Sequence, residues 1–345
     1  MVDTGRVIGG WCRPRMRQAR IKVPPDEGPG VYHAMTRTVN RERLFADGDK
    51  EILRRQIWQV AEYTGVEVIT YAILANHFHI LVRVPQRTDL PDAELLRRYA
   101  VLYPNPTKYK AHCLEVIKSE LAANGPEAVA WRRQQLALMF DLSQFMKLVK
   151  QRFSIYFNKH HGRVGTLWSE RFKSILLEPR KHVVETVAAY IDLNAVRAGL
   201  VQDPKDYRFC GYAEAVAGST MARRGLATIF GQDTEQCAQV QAGYRLLLFG
   251  TGSGERDHDI VLAREAFARV LEQGGRLPLA TVLRCRLRYF TDGAVLGGRT
   301  YVRRQLLQYN RRCGGGDRME PRPLPDIGVL GLMCTMKKLR APASG

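Results

Sequence analysis

Acidic residues are scarce in this chain, apolar runs are short and cysteine follows no pattern. Only 34 Asp and Glu stand against 53 Lys and Arg, which leaves a formal charge of +19 over 345 residues. An imbalance of that size favours a polyanionic partner, nucleic acid foremost. No apolar stretch approaches the ~20 residues that cross a bilayer, and no basic stretch carries a strongly apolar opposite face, so no membrane role is expected. The seven cysteines, Cys12, Cys113, Cys210, Cys237, Cys285, Cys313 and Cys334, are odd in number and contain no C-x-x-C pair. That argues against a disulfide framework and a thiolate zinc site. Met1 to Val23 lacks the apolar core of a secretory signal, and the expected compartment is the reducing cytoplasm.

What the chain does carry is Asn76-His77-Phe78-His79-Ile80-Leu81-Val82. The run reads as a buried strand, and alternation then projects His77 and His79 from one face while Phe78, Ile80, Val82 and Val84 line the other. Two imidazoles on one face can grip a divalent cation. They can equally be an ordinary pair of satisfied histidines, and this stretch alone does not choose.

The organisation falls into three parts: a basic arm (1–29), an α+β region (30–217) and a mainly helical, basic C-terminal region (218–345). The arm carries Arg6, Arg13, Arg15, Arg17, Arg20 and Lys22 before Pro24-Pro25 and Gly28-Pro29-Gly30. Val31 to Val39 alternates as a strand, Lys50 to Tyr63 has apolar positions at helical spacing, and Val66 to Leu74 leads directly into the histidine strand. From Thr88 to Asp141 four prolines punctuate charged helical fragments, an insertion without strand pattern. A helix over Leu142 to His160, a strand over Thr166 to Glu178 and a helix over Lys181 to Val196 follow. Too few residues separate the second and third strands for a crossover, so the sheet is expected to be antiparallel with helices packed on it. Ferredoxin-like and RNA-recognition-type palms belong to this group, and fold alone does not choose among their functions.

The last of these helices places Tyr190 and Asn194 four residues apart, on one face. A tyrosine with its ordinary pKa of ~10 is a poor nucleophile at neutral pH, but a nearby cation can favour its phenolate. By itself the pair reads more simply as a packed tyrosine and its neighbour. Taken with the histidine strand, however, the chain resembles the one-tyrosine HUH transposases that act on single-stranded DNA, in particular the REP-associated tyrosine transposases. Gly30 to Arg37, Tyr71 to Val84, Gly162 to Lys173 and Ala189 to Val201 carry the resemblance.

The resemblance implies a metal-dependent endonuclease and strand transferase. Tyr190 would be the nucleophile that forms a 5′ phosphotyrosine, with His77, His79 and Asn194 as ligands to Mg2+ or Mn2+. The implied partner is single-stranded DNA with a hairpin, and the state, monomer or homodimer, is open. Two departures stand out: Ala195 occupies the place of the family's usual proline, and the insertion is longer than in compact members. A nucleic-acid-binding regulator that keeps the fold without strand transfer is the alternative.

Further candidates are read from the residues. Arg163, Trp168, Arg171 and Lys173 form a basic stretch with an aromatic in it, suited to backbone phosphates and an unpaired base, or else a core tryptophan beside a solvated edge. His33, on the first strand, either faces the site or is structural. In the C-terminal region, helices are expected over His258 to Gln273, Leu277 to Tyr289 and Arg299 to Arg312. Between Arg276 and Gly345 there are 14 basic residues against four acidic ones. A helix-turn-helix reader is one interpretation, a helical extension with a disordered basic tail the other.

Overall fold

The structure, a computed structural model, describes residues 20–24, 27–104, 113–230, 237–249, 283, 289–313, 320–324 and 328–336. The helix expected over His258 to Gln273, most of that over Leu277 to Tyr289, most of the arm and the end of the basic tail lie outside these residues. The protein is an α+β fold around a mostly antiparallel sheet, as the strand spacing predicts.

The N-terminal strands follow the alternation closely. Strand β1 (Gly30–Arg37) lies between β3 (His77–Val84) and β4 (Lys173–Leu177), and β2 (Glu67–Ile73) pairs with the far side of β3. All three pairings are antiparallel. Of the positions that its periodicity marks, helix α1 (Asp47–Thr64) buries Leu53, Ile57, Val60 and Ala61 and leaves Ile52 half-buried, and it ends where Gly65 turns left-handed at φ 69°. Helix α5 (Leu142–His160) begins where Asp141 caps it, its carboxylate accepting from the amides of Ser143 and Gln144 at 2.7 and 3.0 Å. On that side of the sheet Phe45, Phe78, Phe153, Phe157 and Trp168 pack edge to face.

The segment expected to be an insertion, Thr88 to Asp141, is mainly helical in its described residues. It contains α2 (Asp92–Leu102), α3 (Leu114–Ala123) and α4 (Pro126–Ala137). Tyr99, Ile117, Leu121 and Ala128 form a small core of their own. Arg132 grips Asp92 through two bonds of 2.7 Å, and Tyr63 of α1 donates to Gln135 at 2.7 Å, which ties the insertion to the body.

Two elements differ from the sequence expectation. The strand expected over Thr166 to Glu178 is realised only from Lys173. Gly165, at φ 93°, turns the chain beforehand, and the next residues pair with the segment after β1: Val39 donates to the Leu167 carbonyl and Ser169 to that of Arg37. The helix expected over Lys181 to Val196 divides into α6 (Lys181–Asp192) and a turn, α7 (Asn194–Arg197), at Leu193 with ψ 1°. The Asn194 amide donates to the carbonyl of Ile191 at 3.1 Å, a side-chain bond that competes with a regular ladder at the break.

Behind the sheet α6, α8 (Gly211–Val216) and α9 (Thr220–Phe230) pack on β2. A Cβ at Gly225 would lie 2.3 Å from the Ile69 carbonyl, so glycine is what allows α9 to sit this close. The end of α6 is anchored by Asp192. This buried carboxylate accepts from the Thr70 hydroxyl at 2.8 Å, from the Tyr212 amide at 3.2 Å and from the Tyr244 hydroxyl of α10 (Cys237–Phe249). Burial pushes its pKa up to about 6 against those bonds.

The C-terminal region does more than add helices. After the one-turn helix α11 (Tyr289–Asp292), strand β5 (Val295–Gly297) joins β4 in the sheet's parallel pairing, α12 (Arg299–Cys313) follows, and β7 (Cys334–Thr335) and β6 (Arg322–Pro323) complete the sheet order β2-β3-β1-β4-β5-β7-β6. The expected third helix is thus present as α12. Among the described residues no helix is long and apolar enough to cross a membrane.

Candidate active site

Pairing register decides which side chains meet. Met35 lies opposite His79, Arg37 opposite His77 and His33 opposite Leu81. Directly opposed residues share a face and alternate residues of one strand do too, so His33, Arg37, His77 and His79 emerge on one side of the sheet. Helix α6 crosses that side and brings Tyr190, whose ring centroid lies 6.3 Å from that of His79 and 6.4 Å from that of His33. The rings of His77 and His79 are 5.2 Å apart. Of the residues expected in the site, His77, His79 and Tyr190 are therefore brought together, and Asn194 stands one turn beyond Tyr190.

The site is enclosed. His33, His79, Tyr190 and Asn194 are exposed by 1, 3, 2 and 7% respectively, whereas His77 is half-buried. Burial pulls the pKa of His33 down to about 4, with Arg197 adding to the shift. His79 is held well below the ordinary histidine range by burial and then by the adjoining His33, His77, Arg197 and Arg37. Both rings are neutral at physiological pH, the state in which imidazole can act as a ligand.

The hydrogen bonds of His77 fix its form. Its Nδ1 lies 2.6 Å from the side-chain oxygen of Asn76, whose amide nitrogen is turned to the Arg41 carbonyl at 2.9 Å. An amide oxygen accepts, so His77 donates from Nδ1, and a neutral ring then has its lone pair on Nε2. The Asn194 nitrogen is turned back to the carbonyls of Ile191 and Tyr190, which leaves Oδ1 as its ligand atom.

The chemistry of these side chains suits a divalent cation. Nε2 atoms of His77 and His79 and Oδ1 of Asn194 are donors of the right chemistry, and imidazoles suit Mn2+ better than Mg2+. Among the described residues no cluster of three or more His, Cys, Asp or Glu is placed to hold a metal. The protein's own set would thus be completed by substrate oxygens or water, as an open catalytic site requires.

Arg197 and Phe290 also belong to the site, although the sequence assigned neither of them a role in it. The Arg197 guanidinium lies 3.9 Å over the Tyr190 ring and donates to the carbonyls of Tyr190 and Leu283, each at 2.7 Å. Phe290 packs edge-on against Tyr190 at 4.8 Å from the opposite end of the chain. The signal for Arg197 was its spacing, one turn after Asn194; Phe290 offered none.

The residues expected to contact DNA separate. Trp168 is in the core, its indole donating to the Lys150 carbonyl at 3.1 Å, so the core alternative describes its position and no face is open for a base to stack on. Arg171 is exposed, as is Lys173, which pairs with Asp292 of α11 at 3.1 Å. Arg163 is half-buried, 3.9 Å from Glu42. The structure adds Arg20 and Lys150 to Arg171: burial and then the neighbouring Arg171 lower Arg20 to about 10, and burial and then Arg20 lower Lys150 to about 8. Both cations also have partners within the protein, Arg20 against the Phe172 ring and carbonyl and Lys150 at the Glu170 carbonyl.

With this geometry in place, comparison with known proteins is informative. Residues 30–94 match the family model Y1_Tnp, transposase IS200 like. The match spans β1 to the start of α2 and includes both histidines, whereas Tyr190 and Asn194 lie outside it. Among solved structures, a REP-associated tyrosine transposase bound to a REP hairpin is similar at a TM-score of 0.34 and 16% identity, over 61% of this chain and 87% of that one. No curated protein matches the chain.

Proposed function

We propose that the protein is a transposase-type enzyme that cuts and rejoins single-stranded DNA near a hairpin, with Tyr190 as nucleophile. The observation that supports this most is the convergence of His77, His79 and Tyr190 on one enclosed face of the sheet, from elements more than a hundred residues apart in sequence. The family match over the histidine strands supports the same reading.

The reaction follows from the parts. The Tyr190 phenol, its proton removed, attacks phosphorus in line with the departing 3′ oxygen. The P–O3′ bond breaks, that oxygen takes up a proton, and a 5′ phosphotyrosine remains. A different 3′ hydroxyl can then attack the phosphotyrosine, restoring the phenol and joining strands without a nucleotide cofactor. His77, His79 and Asn194 would hold a divalent cation, Mg2+ or Mn2+, whose positive charge would offset the charge that develops on the phosphate. Arg197 fixes the Tyr190 ring and adds a permanent positive charge to the pocket. Arg20, Lys150, Arg163, Arg171 and Lys173 hold the strand by its phosphates.

Burial of Tyr190 favours a second reading, a nucleic-acid-binding regulator whose tyrosine is unused. Incubation with labelled hairpin-bearing single strands and Mn2+, followed by denaturing electrophoresis, separates the two. Strand transfer gives a protein–DNA adduct that disappears in Tyr190→Phe while binding remains. Tight binding without adduct across many strands and cations establishes the regulator, and an adduct that survives Tyr190→Phe removes Tyr190 as nucleophile.

A further inference from the structure

His33 is buried in the site, yet the reaction above gives it nothing to do. Its two ring nitrogens are both engaged: Nδ1 lies 2.6 Å from the Phe290 carbonyl oxygen and Nε2 lies 2.8 Å from Nδ1 of His79. The rings of the two histidines stack at 5.0 Å. A carbonyl can only accept, so His33 must donate from Nδ1, because a bare nitrogen facing a carbonyl oxygen at that distance sets lone pair against lone pair. A neutral His33 then has its lone pair on Nε2. His79 must in turn donate from Nδ1, which leaves its own lone pair on Nε2, on the far side of the ring.

We propose that His33 is a positioning residue. It acts through His79, locking that ring in the Nδ1–H tautomer whose Nε2 can take a divalent cation, and the acceptor that orients the whole relay is the Phe290 carbonyl supplied by the C-terminal region. The relay runs from Phe290 C=O to His33 Nδ1–H, and from His33 Nε2 to His79 Nδ1–H. The inference rests on the reading of His77 and His79 as a metal pair. It adds that the two are prepared by different means: His77 by the adjacent Asn76, His79 by a chain of two bonds that ends 257 residues from His33 in sequence.

The assignment explains why an imidazole rather than an apolar side chain fills this position. A buried aromatic would pack as well, but only a group that donates on one side and accepts on the other can link a carbonyl to an N–H. Outer partners of this kind hold ligand rings in orientation, and their loss typically weakens metal binding by about 10- to 100-fold.

The test begins with the full-length, metal-free protein, labelled with 15N, and long-range 1H–15N spectra of its histidines. The expected result is that His33 and His79 both carry hydrogen on Nδ1 and a bare Nε2; a His79 protonated on Nε2 overturns the proposal. Two variants follow, His33→Phe, which keeps the ring volume but cannot accept, and His33→Gln, which can donate to Phe290 and accept from His79. Calorimetric titration with Mn2+ should show affinity reduced ~10- to 100-fold in His33→Phe and largely restored in His33→Gln. Unchanged affinity in a folded His33→Phe overturns the relay, and should that variant not fold, the wild-type spectrum decides. The two readings fail separately. A protein with the expected tautomer and His33-dependent Mn2+ binding but no Tyr190 adduct loses strand transfer and keeps the relay. Adduct formation with unaltered Mn2+ dependence in His33→Phe does the reverse.

Discussion

Arg197 shows how much one side chain can contribute to a site without being a ligand or nucleophile. Its planar fork reaches two carbonyls while its face covers the Tyr190 ring, an arrangement that lysine cannot reproduce with a single ammonium. Replacement Arg197→Lys should slow adduct formation ~10-fold through lost orientation of the ring, and lower stability by ~1–2 kcal/mol as two buried carbonyl partners lose geometry. Single-turnover adduct kinetics and urea unfolding measure the two; an unchanged rate would remove Arg197 from ring positioning. The residue scale is also where the sequence is most and least readable. His77 and His79 declare themselves because strand alternation places them on one face, and Tyr190 with Asn194 because four residues make one helical turn. His33 was visible only as a histidine on a strand, since its meaning lies in two atoms supplied by His79 and by Phe290. Phe290 itself contributes a backbone carbonyl, a group that every residue has.

Among the elements, α1 carries a latch whose strength depends on pH. Arg54 reaches Glu51 one turn back at 2.7 Å and, on its other side, Glu214 of α8; Arg208 adds a bond to Glu51 at 3.1 Å. The Glu51 carboxyl is pulled down to about 2 from its ordinary 4.5, first by its bond to Arg54, against burial as the next largest effect, with smaller contributions from Arg55 and Arg208. Because the folded value lies below the unfolded one, the stabilisation is present above 4.5 and is lost as pH falls from 4.5 toward 2. Solvent screens this latch, which limits its worth to ~1 kcal/mol. Glu51→Gln should be less stable than the wild type by that amount at neutral pH, with the gap closing through the acidic window. Denaturant titrations across the window measure it, and a gap independent of pH would show that packing rather than charge is lost. Helix periodicity located α1, α5 and α12 well because their buried stripes are long and regular. The start of β4 was placed too early, since Gly165 turns the chain and residues 167–169 pair with the end of β1 and the residues after it before the ladder with β1 begins. The break after α6 was equally hidden: it reflects a local bond of Asn194, not a change of pattern.

For the whole molecule, charge is the property that sequence reports directly. An excess of +19 predicts binding that weakens steeply with salt. For a single strand the logarithm of affinity falls with the logarithm of salt at about −0.7 per phosphate contact, so five contacts give a slope of about −3.5. Arg171→Ala should make the slope shallower by ~0.7, as read by fluorescence anisotropy of a labelled hairpin strand. An unaltered slope would exclude Arg171 from the phosphate path. The sheet as a whole was legible as far as β4. Its continuation was not, because β5, β6 and β7 are two or three residues long, too short for any period, and their existence depends on an edge already built by β1 and β4.

That late continuation of the sheet bears on the order of synthesis. The chain is made from its N-terminus, so the histidine strand and Tyr190 leave the ribosome well before Phe290. Until residues 290–297 are made, the β4 edge has no β5 partner and His33 has no Phe290 carbonyl to face. On the proposal above, a truncated or half-made protein holds its nucleophile and both histidines without a ligand pair prepared for metal. On that proposal, preparation of the metal pair waits for the residues around Phe290, however early the histidines themselves are made.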